Sequence, residues 1–407
     1  MKNILFVSIA FPPKNDPECL QTAKYFKYLV AASDWNIDVV TSKSPALFMP
    51  VDPQLEPYAK GARQQIELPI YENKYLNYLI RKINPNFLRQ PDSKYTFNWG
   101  YKKVVAQLKE RPTVIYSRSF PMSSTYLAAR LVDHYQVPWI LHLSDPWVGS
   151  PIHQLPAALK TKLGEQERQF FSKATYICLT SKKTQAFYQG RYPQFKDKFL
   201  VFPNVFDPSD ITTTPFAFKD QLRFVYTGGL VEERSPRYLL EAIQKIHQKA
   251  AYLLENVEFI FAGQFDRQNA ALFDAYPLDC VQNKGLLSYP DALKLQQSAD
   301  VLMVIDTPLK SPEDAMFFPS KLLDYFIAKR RILAMTDKGS TSFEVVEGKY
   351  GHCFEHQDID GIAQAIETTI QAWKCKDKAY FFSEKIDETF SATFNVQRLV
   401  ELIEGIK

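Results

Sequence analysis

What most constrains this chain is an alternation of short apolar runs with helix-period segments. It runs along residues 3–204 and starts again at 222. In the first half the runs are NILFVSIA (3–10), IDVVTS (37–42), TVIYSR (113–118), PWILHLS (138–144), TYICLTS (175–181) and KFLVFPN (198–204), with helical segments near 17–31, 122–135 and 155–172. The second half has LRFVYTG (222–228), VEFIFAG (257–263), VQNKG (281–285), DVLMVID (300–306), RILAMT (331–336) and GHCFE (351–355), with helices near 236–250, 289–298, 319–328 and 341–347. Continuous apolar strands bounded by turns and alternating with helices predict parallel sheets covered on both faces. Residues 205–221, VFDPSDITTTPFAFKDQ, carry Pro, Thr and Asp without helical period and read as a linker. The expected fold class is α/β, with two Rossmann-like doubly wound domains facing a cleft. Their expected bounds are 1–205 and 206–384, with a helical tail at about 385–407 returning to the first domain.

Composition agrees with a globular chain: 46% of its 407 residues are hydrophobic and 23% charged. The N-terminal run ends at Pro12-Pro13 without a cleavage site, so it reads as a buried strand and not a secretory signal. No apolar run approaches the ~18 residues that span a bilayer. Five scattered cysteines without a paired Cys/His spacing predict reduced thiols and no metal site. A cytoplasmic protein is expected, lying peripherally on the inner face of the cell membrane. Charge is unevenly divided. Residues 1–205 hold 27 Lys and Arg against 15 Asp and Glu, and the remainder holds 22 against 30. A basic half is read either as solvated surface or as a face for an anionic partner.

The stretch FFPSKLLDYF (317–326) puts Lys321 in the first turn of a helix, where the macrodipole is already positive. Free N–H groups, a positive pole and an ammonium together suit a di-anion. In a parallel sheet this helix begins beyond the carboxyl end of the strand DVLMVID, where ligands bind. Ser320, Lys321 and Asp324 share one side of the helix, and Asp324 is placed to accept from ligand hydroxyls. YTGGLVEERSP (226–236) adds Gly228 and Gly229 at a strand end, where backbone can approach a ligand, and Arg234, whose fork matches phosphate oxygens. No GxGxxG follows either first strand, which argues against a dehydrogenase.

YTGGL with ERSP and LLEAI, then FIFAG, NKGLLSYPDALKLQQSADVLMVID and FFPSKLLDYFIAKRRILAMTDKGS, together resemble the C-terminal domain of family 4 glycosyltransferases of the GT-B fold. PNVFD (203–207) resembles that family's domain-junction turn. ILFVSIAFPP and HLSDPW (142–147) are similar to a subset acting in bacterial capsule, O-antigen and other surface-polysaccharide assembly. The resemblance implies a nucleotide-diphosphate-sugar donor as substrate, no cofactor and no metal, a glycan or lipid-linked acceptor, and no nucleic acid partner. Transfer is expected to retain anomeric configuration. By position, Arg234 and Lys321 would neutralise the donor diphosphate, and the N–H groups of Ser320, Lys321 and Leu322, following the donor-side Pro319, would bind its distal phosphate. Asp324 would hold the ribose, and backbone around Gly263, Gly285 and Leu286 would meet the donor and its base. In the first half Arg118 and Asp145 are the implied catalytic-pocket residues, with His142 beside Asp145 as a base should the reaction invert.

Four features depart from the family pattern. Met316 stands where its first acid would fall, leaving Glu313 or Asp314 as substitutes; Gly229 stands where an Arg is common; the loop PPKNDPECLQ (12–21) lacks the family's glycines; and AKRR (328–331) replaces an Ala-Gly-Lys-Pro turn. These departures keep two other readings open: a nucleotide-sugar epimerase of the same fold, and a non-catalytic nucleotide-sugar-binding partner. The segment 71–103 interleaves aromatic and aliphatic residues with cations. Tyr75, Leu76, Leu79 and Ile80 share one helical face near Lys74, Arg81 and Lys82. It reads either as a helix on an anionic membrane surface or as a core-packed helix with a basic edge. Trp139 and Trp147 are expected in the core.

Overall fold

A computed structural model describes residues 2–43, 49–150, 155–212, 215–382 and 386–406. The chain divides into two compact units, Met1–Asp207 with Thr389–Lys407, and Pro208–Glu388. Each is built on one all-parallel sheet.

Unit 1 contains β1 (Asn3–Val7), β2 (Asn36–Ser42), β3 (Gln64–Leu68), β4 (Val114–Ser119), β5 (Trp139–Leu143), β6 (Tyr176–Leu179) and β7 (Phe199–Val201), in the order β3-β2-β1-β4-β5-β6-β7. Successive side chains of a strand point to opposite faces, so a strand covered on both sides must be apolar throughout. β1 shows this: Leu5 and Val7 enter one core with Trp139 and Leu141, while Ile4 and Phe6 enter another with Tyr25, Phe26 and Tyr116. The second core is closed by the helix Ala392–Glu404, whose Val396, Leu399, Val400 and Ile403 are buried against the helix Pro17–Ala32. Pro17–Ala32 starts where the sequence provides a cap. Asp16 Oδ1 accepts from Cys19 N at 2.8 Å, and Pro17 fills the first helical position. Trp139 and Trp147 are core residues as expected; Trp139 is inaccessible and its indole N–H donates to Ser117 Oγ at 2.8 Å.

Unit 2 contains β8 (Leu222–Thr227), β9 (Val257–Ala262), β10 (Val281–Asn283), β11 (Val301–Ile305), β12 (Arg331–Met335) and β13 (Gly351–Phe354), in the order β10-β9-β8-β11-β12-β13. In both sheets the strand order reverses once, between β1 and β4 and between β8 and β11. Those reversals are the topological switch points, and the carboxyl ends beside them are where a doubly wound sheet opens to a ligand.

The sequence reading passes over β3 and several helices, among them Arg267–Ala275 and Ile359–Lys374. β3 is an edge strand with only Ile66 and Leu68 buried, so it offers no continuous apolar run. The helix Arg267–Ala275 buries little beyond Leu272 and Asn269. The helix Ile359–Lys374 was legible: Ile362, Ile366, Ile370 and Trp373 recur at helical spacing and all are buried.

Candidate functional site

The unit 2 switch point gathers most of the residues singled out by sequence. β8 runs into Gly228 and Gly229, β11 into Asp306, and the helix Lys321–Ala328 begins near both. The hydrogen-bonded helix starts two residues after Pro319, with Ser320 at its cap. The Leu322 amide donates to Pro319 O at 3.0 Å, so this amide, expected to face a phosphate, is committed within the turn. The helix ends at Lys329, which adopts φ +57°, and Arg330 of the AKRR turn donates to the carbonyls of Ala299, Ala328 and Gln297.

Three polar atoms at this place are buried without a hydrogen-bond partner: Lys321 Nζ, Arg234 Nε and Asp306 Oδ1. Lys321 Nζ lies 3.9 Å from the centre of the Tyr226 ring. Burial is the largest force lowering the Lys321 pKa well below the ordinary 10.5; Arg234 pushes the same way and Asp306 opposes both. Tyr226 is itself fixed, its hydroxyl donating to Gly229 O at 2.8 Å. Folded proteins seldom leave buried polar atoms unpaired, and an orphaned ammonium beside a guanidinium is costlier than most. Two like charges with empty donors in one place are the arrangement that an entering anion completes. Asp306 does not balance them alone. Its Oδ2 accepts from Thr336 Oγ1 at 2.8 Å, while His356 bridges its carbonyl (2.9 Å) and Asp337 Oδ1 (3.0 Å), tying the ends of β11, β12 and β13.

The glycines form a shelf along the ends of β8, β9 and β10. Gly228 N donates to Ala262 O at 2.9 Å, and Gly263 N donates to Gly285 O at 2.8 Å. Gly263 has φ +150°, and a Cβ there would meet Gly228 O at 2.0 Å; no side chain fits. Gly229 differs, because the nearest atom to an added Cβ is Gln264 O at 3.6 Å. Gly263→Ala should therefore destabilise unit 2 by roughly 1–3 kcal/mol through strain and clash, whereas Gly229→Ala should leave its stability within about 0.5 kcal/mol. Thermal unfolding of the two variants checks this, and equal melting points would contradict it. Leu286, next to Gly285, is 76% exposed, an apolar side chain at the mouth of the shelf.

Asp324 is half-buried and accepts from the Tyr289 hydroxyl at 3.3 Å. Tyr289 was not foreseen; its position becomes visible only when the helix Tyr289–Ser298 packs beside Lys321–Ala328. Met316 is buried, so it presents no polar group in place of the missing acid. Asp314 does not substitute either. Its carboxylate accepts from Lys310 N, Ser311 N and Ser311 Oγ as the cap of a short turn. Glu313 is exposed.

At the unit 1 switch point the structure corrects two expectations. Arg118, at the end of β4, is fully buried instead of lining an accessible pocket. Its Nε donates to Glu18 Oε1 at 2.7 Å, its Nη2 donates to Asn204 Oδ1 at 3.3 Å, and its guanidinium lies 4.8 Å from the Tyr25 ring. Its guanidinium is thus committed to partners within unit 1. His142 is equally enclosed, its Nδ1 2.7 Å from the Tyr116 hydroxyl. Burial, then Arg118, lower its pKa well below 6.5, so it stays neutral inside the core and is not an accessible base. Glu18, unnoticed in the sequence, joins Arg118 to Ser144, whose hydroxyl donates to Glu18 Oε2. Burial pushes its carboxyl up to about 7 against the opposing pull of Arg118. Asp145, beyond β5, is exposed and is the one expected catalytic residue of unit 1 that reaches solvent. The PNVFD turn is held by Pro17–Ala32. Gln21 brackets Val205 with two hydrogen bonds, and buried Asp207 pairs with Lys27 Nζ at 2.7 Å.

Residues 221–372 match the family model described as Glycosyl transferases group 1. No curated protein sequence matches the chain. Solved structures match along its whole length at low identity. Sucrose-phosphate synthase from Thermosynechococcus elongatus is 15% identical with TM-score 0.65, covering 99% of this chain and 98% of that one. TarM from S. aureus is 10% identical with TM-score 0.64 and full coverage of both chains. UDP-GlcNAc 2-epimerase from Methanocaldococcus jannaschii is 11% identical with TM-score 0.57, covering 99% and 98%. The chain thus has the GT-B fold, and its segment 221–372, which holds Arg234, Asp306 and Lys321, is the part that matches the Glycosyl transferases group 1 model.

Proposed function

We propose that this protein is a family 4-like glycosyltransferase that moves a sugar from a nucleotide-diphosphate-sugar to a glycan or lipid-linked acceptor in surface-polysaccharide assembly. The observation that carries the reading is the pair of half-buried cations Lys321 and Arg234, whose Nζ and Nε atoms are buried without a hydrogen-bond partner inside the segment that matches the group 1 family. Breaking the anomeric C–O bond leaves the electron pair on the departing diphosphate, so preorganised positive charge aimed there lowers the barrier. Lys321 and Arg234 take that role, and no metal is invoked. Gly228, Gly263 and Gly285 let backbone lie close to the donor; Asp324, oriented by Tyr289, accepts from ribose hydroxyls; Leu286 meets the base.

Retention is the proposed outcome. The acceptor hydroxyl attacks from the leaving-group face, the new C–O bond forms as the old one breaks, and the proton passes to a diphosphate oxygen. Asp145 is the acceptor-side carboxylate of unit 1. A structure of TarM holds UDP and alpha-GlcNAc-glycerol, which supports a nucleotide-sugar reading. The similarity to a UDP-GlcNAc 2-epimerase favours a second reading, in which the sugar is isomerised without an acceptor.

Thermal unfolding with UDP-, GDP- and dTDP-sugars tests the first step, because a ligand held only by the folded state raises its stability. One nucleotide class should raise the melting point. No shift with any of the three would sink the donor assignment. NMR of the sugar after incubation separates the rest: a retained linkage to an acceptor supports transfer, and an isomerised free donor supports the epimerase.

A further inference from the structure

The helix Lys74–Ile83 packs against unit 1 the wrong way round for a soluble protein. Its one buried residue is Asn77, while Tyr75 (70% exposed), Leu76 (52%), Leu79 (55%) and Ile83 (85%) face outward. On a 3.6-residue period those four share the face opposite Asn77. Core packing, the other reading of this segment, is therefore set aside for these side chains. The patch does not end with the helix. Exposed Trp99 lies 6.4 Å from the Tyr71 ring and 5.9 Å from Tyr95, which in turn lies 5.2 Å from Phe87, making a continuous aromatic run beside the helix. Scattered exposed apolar residues are ordinary, but a contiguous face of this kind marks a contact surface.

The charges around it are one-sided. Residues 71–103 hold seven Lys and Arg and two acids. Both acids are engaged internally: Glu72 accepts from Lys94 Nζ at 3.3 Å, and Asp92 accepts from Ser123 N at 2.8 Å. Arg81, Lys82, Lys102 and Lys103 are exposed, with Lys82 Nζ 4.9 Å from the Tyr78 ring. The face is also held ready. Asn73 Oδ1 caps the helix by accepting from Tyr75 N and Leu76 N. A rigid apolar face with Tyr and Trp beside it and a cationic rim without free acid has the chemistry of a helix that lies in a lipid headgroup region. Among the described residues no helix is long and apolar enough to cross a membrane, so the contact is one of lying on the surface.

We infer that the Tyr71–Lys103 face of unit 1 docks on an anionic phospholipid bilayer, inserting Tyr75, Leu76, Leu79 and Ile83 while Arg81 and Lys82 meet the headgroups. This goes beyond the proposed glycosyl transfer and does not depend on it, since docking needs no donor.

The test is sedimentation of the intact protein with vesicles of phosphatidylcholine alone and of phosphatidylcholine mixed in equal parts with phosphatidylglycerol. Binding is expected to the mixed vesicles, weakening as salt rises. The triple variant Arg81→Glu, Lys82→Glu, Arg89→Glu should lower the partition coefficient roughly a hundredfold. The double variant Leu79→Glu, Ile83→Glu should lower it at least about tenfold. All five positions are exposed, and unchanged melting points confirm intact folding. Absence of vesicle binding overturns the inference. So does a wild-type dimer that ignores vesicles and dissociates on Leu79→Glu, Ile83→Glu, because a second copy would then cover the face. Equal binding to both vesicle types, unmoved by the charge reversals, overturns the anionic assignment.

Discussion

Replacing Lys321 with Met should make the protein more stable and nearly inactive at once. The ammonium is buried without a hydrogen-bond partner and feels the like charge of Arg234. Burying an unpaired polar group costs roughly 1–3 kcal/mol by mutational measure, more for a charge. The Tyr226 ring and Asp306 offset part of that cost. A flexible apolar side chain of similar length removes the cost and keeps the packing, so a net gain of about 1 kcal/mol is expected, read as a raised melting point of the donor-free protein. The same change removes half of the cationic pair proposed to face the leaving group. Loss of one preorganised charge there lowers turnover by roughly 10²–10³, and donor-induced thermal shifts should vanish. Wild-type donor affinity in Lys321→Met would remove the phosphate assignment.

The pH dependence follows with a definite sign. Folding lowers the Lys321 pKa, so between that value and 10.5 the unfolded chain holds a proton that the folded chain lacks. Stability therefore rises with pH across that window, and Lys321→Met removes this part of the slope. A diphosphate draws the amine back to its charged form. Donor binding above the lowered pKa should then take up protons, detectable by calorimetry in buffers of different ionisation heat. Binding without proton uptake at any pH would contradict a lowered pKa relieved by the ligand.

The second large effect lies in unit 1. Glu18→Ala leaves the Arg118 guanidinium fully buried without its carboxyl partner. Removing one member of a buried pair typically costs about 3–5 kcal/mol, because the remaining charge is stranded. Chemical denaturation should show this loss, and adding Arg118→Met to Glu18→Ala should recover much of it, since the stranded charge is then gone. A double variant as unstable as Glu18→Ala would mean that the charge is not the cause. Here too the sign can be worked out. Burial raises the Glu18 carboxyl from 4.5 to about 7, so between those values the folded state holds a proton that the unfolded chain has released. Stability falls as pH rises through that window, and the Glu18→Ala cost is accordingly largest on its acid side.

Reading the fold from sequence worked where burial is complete. The stretches 4–7, 224–226 and 301–305 are apolar at every position because both faces of their strands are covered. It failed at β3, an edge strand that buries one face and so carries half the signal. The residues proposed to face the donor also stand out locally. Lys321 stands out because a cation at a helix start contradicts the macrodipole, and Gly228 stands out because it follows a strand; both are local departures from what the backbone prefers.

What the sequence by itself determined is the class of fold and the place of a helix start that carries a cation, since periodicity and charge at a helix terminus are properties of neighbours along the chain. The tertiary structure decided which charges are available. Arg118 and Lys321 look alike as isolated cations in the sequence. Folding brings Glu18 and Asn204 to Arg118 and seals it, but places Lys321 near Arg234, Asp306 and an aromatic ring with no hydrogen-bond partner for its ammonium among the described residues. The same holds for Lys74–Ile83. Its amphipathic period is written in the sequence, but which face meets protein is set by Asn77 turning inward, so that the apolar side is left for something else to cover. Partnership is a long-range property in a low-dielectric interior, and it is partnership that separates a structural charge from one that waits for a ligand.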